Sequence, residues 1–268
     1  MTSAQMDYVA LDRPEVLHLL FHPRPEWRST VTTTPARDEL ITVDENVVVG
    51  ARFHMTTPTG LNIVFFHGNG EIVADYDDLG AVYNRLGINF LAVDYRGYGR
   101  STGKPTVSHM MKDSHVVFGY VRAWLKENGY SGPVVVMGRS LGSASALELA
   151  ATHASELDGL IVESGFAYAG PLLQRLGINL SSVGFQESEG FTNLDKIRGL
   201  HKPILIIHAE HDQIIPFSDA QALYDNCPAS DKTLLKIPEA GHNDILARGL
   251  TQVLAAIKAF SGRLDTDR

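Results

Sequence analysis

Cysteine is nearly missing from this sequence: Cys227 is the single one in 268 residues. No internal disulfide can form, so a reducing, cytoplasmic setting is expected. An excess of basic residues is missing too. Lys and Arg total 23 against 31 Asp and Glu, a net charge of −8. A nucleic-acid partner needs a basic face to neutralise phosphates, so none is expected. No uncharged apolar run reaches membrane-spanning length, and the N-terminal residues Met1 to Tyr8 show no basic region followed by an apolar core. Neither stable membrane insertion nor a secretory signal is expected. Repeats and low-complexity tracts are absent as well. What remains is an ordinary globular composition, 44% hydrophobic and 20% charged. That is enough apolar material for one α/β domain spanning residues 1–268.

One stretch organises the rest. Pro133 to Met137 is a short apolar run of β-branched residues, as a strand buried on both faces requires. Leu141 to Ala150 is built from Leu, Ala, Ser and Glu with apolar residues at helical spacing. Between them lies Gly138-Arg139-Ser140-Leu141-Gly142. A strand that passes into a helix within so few residues must bend sharply. Glycines two before and two after the serine let the elements approach without Cβ clashes. The serine at the apex is then presented above the sheet at a helix N-terminus, the strand–turn–helix context of a nucleophile elbow.

Around it, apolar strands are expected at Glu39–Val43, Val47–Met55, Leu61–Phe66, Ile88–Val93, Val134–Met137, Leu160–Val162, Ile204–Ile207 and Thr233–Ile237. Helical patterns fall at Arg13–Phe21, Ile72–Leu86, Met110–Asn128, Leu141–His153, Asp219–Asn226 and Asp244–Phe260. The alternation predicts a mostly parallel central sheet of about eight strands flanked by helices. Between Ser164 and Pro203 the chain runs longer than a plain crossover and is rich in Phe and Leu. A small cap at about 166–198, over the carboxyl ends of the strands, is the expected use.

A serine hydroxyl needs a base to take its proton, usually a histidine oriented by a carboxylate. The loop after Ile204–Ile207 offers Asp212, and the loop after Thr233–Ile237 offers His242. Together they satisfy the order Ser, acid, His. Glu163, at the end of the strand before, is the rival acid. An oxyanion needs two donors, one the N–H of Leu141, just after the nucleophile. The other is expected from His67-Gly68-Asn69-Gly70, where the amide of Asn69 is the candidate and that of Gly70 the alternative. No Gly-Lys-Ser/Thr follows these glycines, so a phosphate loop is not indicated and no cofactor is expected. His208, His211 and Asp212 sit at a strand end with no third cluster to complete a metal site.

The set as a whole resembles the α/β-hydrolase superfamily. The resemblance rests on His67-Gly68-Asn69-Gly70, Asp94-Tyr95-Arg96-Gly97-Tyr98-Gly99-Arg100-Ser101, Gly138 to Ser143, His211 to Pro216 and Gly241-His242, and covers about residues 40–260. More narrowly, it is similar to the small-cap serine hydrolases that include protein depalmitoylases and serine-aminopeptidase-like domains. The resemblance implies the roles already given to Ser140, Asp212, His242, Asn69 and Leu141. The cysteine-rich N-terminal segment in which membrane-anchored depalmitoylases resemble one another has no counterpart here, so protein depalmitoylation at a membrane is not the expected activity. The function expected is a serine hydrolase acting on a small-molecule ester or thioester through an acyl-serine intermediate. A peptidase or amidase of the same fold, and a non-catalytic module binding a small ligand under the cap, are the alternatives.

Overall fold

The computed structural model describes residues 8–27 and 36–264; the residues before Tyr8, read above for a leader, lie outside them. Its strands are β1 (Ala36–Asp44), β2 (Val47–His54), β3 (Asn62–Phe66), β4 (Asn89–Val93), β5 (Val134–Arg139), β6 (Gly159–Glu163), β7 (Ile204–Ala209) and β8 (Lys232–Ile237). They form an eight-stranded sheet in the order β1-β2-β4-β3-β5-β6-β7-β8. β3 to β8 run parallel, while β2 is antiparallel to both β4 and β1. The parallel strands read as continuous apolar runs because both faces are covered. Within β3, Val64 and Phe66 join one core while Ile63 and Phe65 join the other, the period-two alternation of a pleated strand.

The helices are α1 (Pro14–Leu20), α2 (Asp77–Arg85), α3 (Val107–Glu127), α4 (Gly142–Thr152), α5 (Ala169–Arg175), α6 (Leu180–Val183), α7 (Asn193–Arg198), α8 (Phe217–Asn226) and α9 (Ile245–Leu264). α3 starts three residues before Met110 because the Thr106 hydroxyl caps it, accepting from the His109 amide at 3.0 Å. The pattern expected as one helix over 72–86 opens instead as a 3₁₀ turn, Val73–Tyr76, before α2. There the first amides are taken by side chains: Ile72 N–H donates to Asp75 and Val73 N–H to Asp94. None of the described helices is long and apolar enough to cross a membrane.

The stretch expected as a cap holds α5, α6, a 3₁₀ turn at Glu187–Glu189, and α7. Two of its aromatics are core residues: Phe166 and Phe191 are fully buried and meet edge to face at 5.2 Å. α7 lies against α4 and α8, as a crossover helix does. Cys227, at the end of α8, is buried, with its thiol directed at the Leu200 carbonyl 3.7 Å away.

Candidate active site

Register brings the loops together. Phe66 pairs with Gly138, Arg139 with Glu163, Glu163 with Ile207, and Ala209 with Ile237. The loops leaving β3, β5, β7 and β8 therefore emerge side by side at the carboxyl edge of the sheet. The loops after β7 and β8 are stitched by Glu210 N–H to the Ile237 carbonyl (3.0 Å) and His211 N–H to the Ala240 carbonyl (2.8 Å).

Ser140 sits at the apex of the β5–α4 turn with φ 51°, a left-handed conformation that costs an L-residue energy. It is held there by its N–H, which donates to the Glu163 carbonyl at 2.9 Å. The flanking glycines are required sterically. A Cβ on Gly138 would run into the Gly142 carbonyl, and one on Gly142 into the Phe66 carbonyl.

His242 joins the other two residues. Its Nδ1 lies 2.7 Å from Asp212 Oδ2, and its Nε2 lies 3.0 Å from Ser140 Oγ. With Nδ1–H donated to the carboxylate, Nε2 is left to accept from the serine hydroxyl. The other oxygen of Asp212 accepts from the amides of Ile214 (2.9 Å) and Ile215 (2.7 Å), which fixes the carboxylate's orientation. Burial pushes the Asp212 carboxyl up, but the hydrogen bonds from His242 and the Ile215 amide, with the electrostatic effect of the two neighbouring imidazoles, outweigh it and hold it below the usual carboxylate range. Glu163, the rival acid, turns elsewhere: its carboxylate ion-pairs with Arg139 at 3.2 Å, and burial raises its pKa. His208 is buried beneath Asp212 and donates Nε2–H to the Ile215 carbonyl at 2.8 Å. Its ring supports the acid loop.

Among the described residues, neither the Leu141 N–H nor the Asn69 N–H has an acceptor. The side chain of Asn69 is fully occupied. Its oxygen accepts from the His22 amide and the Tyr98 hydroxyl, both at 2.7 Å, and its Nδ2 lies 2.8 Å from His22 Nδ1. Next to it, Arg24 Nε donates to the Gly70 carbonyl at 2.7 Å. The segment after α1 is thus fastened across this loop, and pairs at Pro25 with Gly99. Sequence reasoning did not find this fastening. Its one signal is the tyrosine of Tyr98-Gly99, whose hydroxyl reaches back to Asn69.

Arg139 was also missed. Its guanidinium reaches Glu71 Oε1 (2.5 Å), Glu163 and the His242 carbonyl (3.0 Å).

Comparisons with known proteins agree with this fold. The family described as serine aminopeptidase, S33, matches residues 58–183. Human alpha/beta hydrolase domain-containing protein 17B is 32% identical over 209 residues, covering 74% of this chain. The mouse 17C protein is 30% identical over 224 residues, covering 79%. The chain spans 65% and 63% of the length of these two relatives. Among solved structures, an esterase from Pyrococcus furiosus superposes with TM-score 0.71 at 19% identity, over 90% of this chain and 98% of that one. A monoglyceride lipase from Saccharomyces cerevisiae, in complex with a substrate analog, gives 0.67 at 18%, over 89% and 98%. With a mostly parallel eight-stranded sheet, a serine elbow after β5, and these likenesses in sequence and shape, the chain has the α/β-hydrolase fold.

Proposed function

We propose that the protein is a serine hydrolase that cleaves small carboxylic esters or thioesters through an acyl-serine intermediate. One observation carries the reading: His242 bridges Ser140 and Asp212 at 3.0 and 2.7 Å, with the serine at the apex of a strained elbow. In this reading Ser140 Oγ attacks the substrate carbonyl as its proton passes to His242 Nε2, and the carbonyl oxygen becomes an oxyanion. Asp212 keeps the imidazole in the Nδ1–H tautomer and stabilises the imidazolium. The free amides of Leu141 and Asn69 are the oxyanion donors. Collapse breaks the bond to the alcohol or thiol, which leaves with the proton from His242. Water then repeats the sequence on the acyl-serine, releasing the acid and restoring the hydroxyl. The esterase and lipase among the structural neighbours favour esters over amides. We take α5 and α6 as the cap; Tyr168, at the entry to α5, is 38% exposed and open to a substrate.

The test is labelling with a fluorophosphonate together with turnover of p-nitrophenyl esters of increasing chain length, with a p-nitroanilide of the same acyl group alongside. Wild type should label and hydrolyse esters, and Ser140→Ala should do neither while keeping its circular dichroism spectrum. Because only neutral imidazole accepts the proton, kcat/KM should rise with pH through one ionisation and then flatten. Wild type that neither labels nor turns over ester, with its fold intact, would point to the non-catalytic binding module.

A further inference from the structure

The residue before the nucleophile is free to vary in the Gly-x-Ser-x-Gly pattern, yet here Arg139 is 7% exposed and engages three chain segments. Its fork reaches Glu71 Oε1 from the loop after β3, Glu163 from the end of β6, and the carbonyl of His242 itself. Glu71 continues the link: its second oxygen accepts from the Gly68 amide and the Tyr76 hydroxyl, both at 2.6 Å. Gly68 directly precedes Asn69. The loop bearing one oxyanion donor and the loop bearing the base are thus joined through a single guanidinium.

We propose that Arg139 and Glu71 form a positioning pair for the reaction: the pair sets the distance between oxyanion donor and base, and the Arg139 charge offsets the carboxylates facing His242. The inference rests on the serine-hydrolase reading above. Asp212 lies on the His242 imidazole with His208 beside that carboxylate, Glu163 is within electrostatic reach of His242, and Arg139, on the His242 carbonyl, carries Glu71 and Glu163 on its guanidinium. Removing Arg139 leaves Glu71 and Glu163 with no cation between them, and Glu163 is within electrostatic reach of the imidazole. That arrangement favours the imidazolium in the resting enzyme, where it is inactive as a base. A buried ion cluster that served stability alone would leave the chemistry untouched once the protein had folded.

Four variants of the full chain separate these roles: Arg139→Gln, Arg139→Lys, Glu71→Gln and the double variant Arg139→Gln/Glu71→Gln. Rates on p-nitrophenyl butyrate are normalised to sites titrated by fluorophosphonate, so misfolded protein does not count. Arg139→Gln should lower kcat by about 10- to 100-fold with KM within about twofold, since a misplaced base and donor act on the transition state. Its acid limb should move to higher pH by about half to one unit. Glu71→Gln should move the limb the other way. The double variant should lose less than the product of the single losses, because the two residues act as one unit. Arg139→Lys keeps the charge and loses the fork, so kcat should fall by about tenfold with the limb in place.

If Arg139→Gln does not fold, Arg139→Lys decides, and a wild-type kcat there overturns the proposal. Folded Arg139→Gln with an unmoved limb and kcat within about twofold of wild type overturns it directly. An NMR titration of the His242 imidazole in histidine-labelled protein reads the same charge effect without turnover. If wild type hydrolyses no ester, the functional reading fails, while an unmoved His242 titration in Arg139→Gln overturns this pairing on its own.

Discussion

Ser140 holds φ 51°, a conformation glycine adopts freely and serine does not. Such strain costs of the order of 1–3 kcal/mol and persists only where the surroundings impose it, here the hydrogen bond from the Ser140 N–H to the Glu163 carbonyl and the packed glycines. Ser140→Gly should therefore unfold at a higher temperature than Ser140→Ala, which keeps the strain and also lacks the hydroxyl. A shift of about 2–4 °C corresponds to 1 kcal/mol in a chain of this size. Equal melting temperatures by calorimetry would mean the turn is not strained. The acid is the second test at this scale. Asp212→Asn keeps the shape but loses the charge and can hold the wrong tautomer, so kcat should fall by about 10²–10⁴ with KM little changed. Glu163→Gln should cost less than about tenfold, because Glu163 faces Arg139. Steady-state kinetics on one ester compares them, and a larger loss for Glu163→Gln reverses the assignment. Ser140, Asp212 and His242 were legible in the sequence because each stands at a fixed place after a strand. Arg139 was not, since nothing in the pattern restricts that position and its partners lie 68 and 24 residues away along the chain.

All eight strands were legible as apolar runs bounded by turn residues, and the structure moves most of their ends by no more than two residues. β1 gains three residues at its start because Ala36 to Asp38 pair across to β2, a contact that polar residues do not announce. The segment fastening the loop around Asn69 was not legible either. His22 and Arg24 act largely through a main-chain amide and a long polar side chain, which leave no periodic trace. A second polar contact ties helices together: Glu148 of α4 accepts from Lys196 of α7 (2.7 Å) and Tyr8 (3.1 Å), with His115 of α3 at 3.4 Å. Burial opposes ionisation of Glu148, but the bond to His115 and the pair with Lys196 overcome it and lower its pKa to about 2. A depressed folded-state pKa stabilises the fold above the unfolded value near 4.3 and loses that contribution as pH falls toward the folded value. Glu148→Gln should therefore melt below wild type at pH 7, with the gap narrowing between about pH 4.5 and 2. A gap that stays constant by thermal unfolding at pH 7 and pH 3 would show that the charge contributes nothing.

At the scale of the whole molecule, the alternation of strand and helix was enough to give a parallel sheet covered on both faces. It did not give the strand order, in which β4 crosses to the far side of β3 to meet the antiparallel β2. That choice depends on tertiary pairing and on crossover handedness, not on any local run of residues. The same limit applied to residues 166–198. Their aromatic content reads alike for a ligand pocket and for packing, and burial assigns Phe166 and Phe191 to packing.

Cys227, 1% exposed and the chain's sole thiol, makes the native protein almost silent toward thiol-reactive dyes. Burial also raises its pKa, which keeps the reactive thiolate scarce. Ellman's reagent should react slowly with native protein and reach one equivalent per chain on denaturation; fast native reaction would mean that this end of α8 opens readily. A cysteine placed at exposed Tyr168 could then carry a fluorophore alone, with no need to alter the native thiol, and report optically on α5 while an ester is turned over.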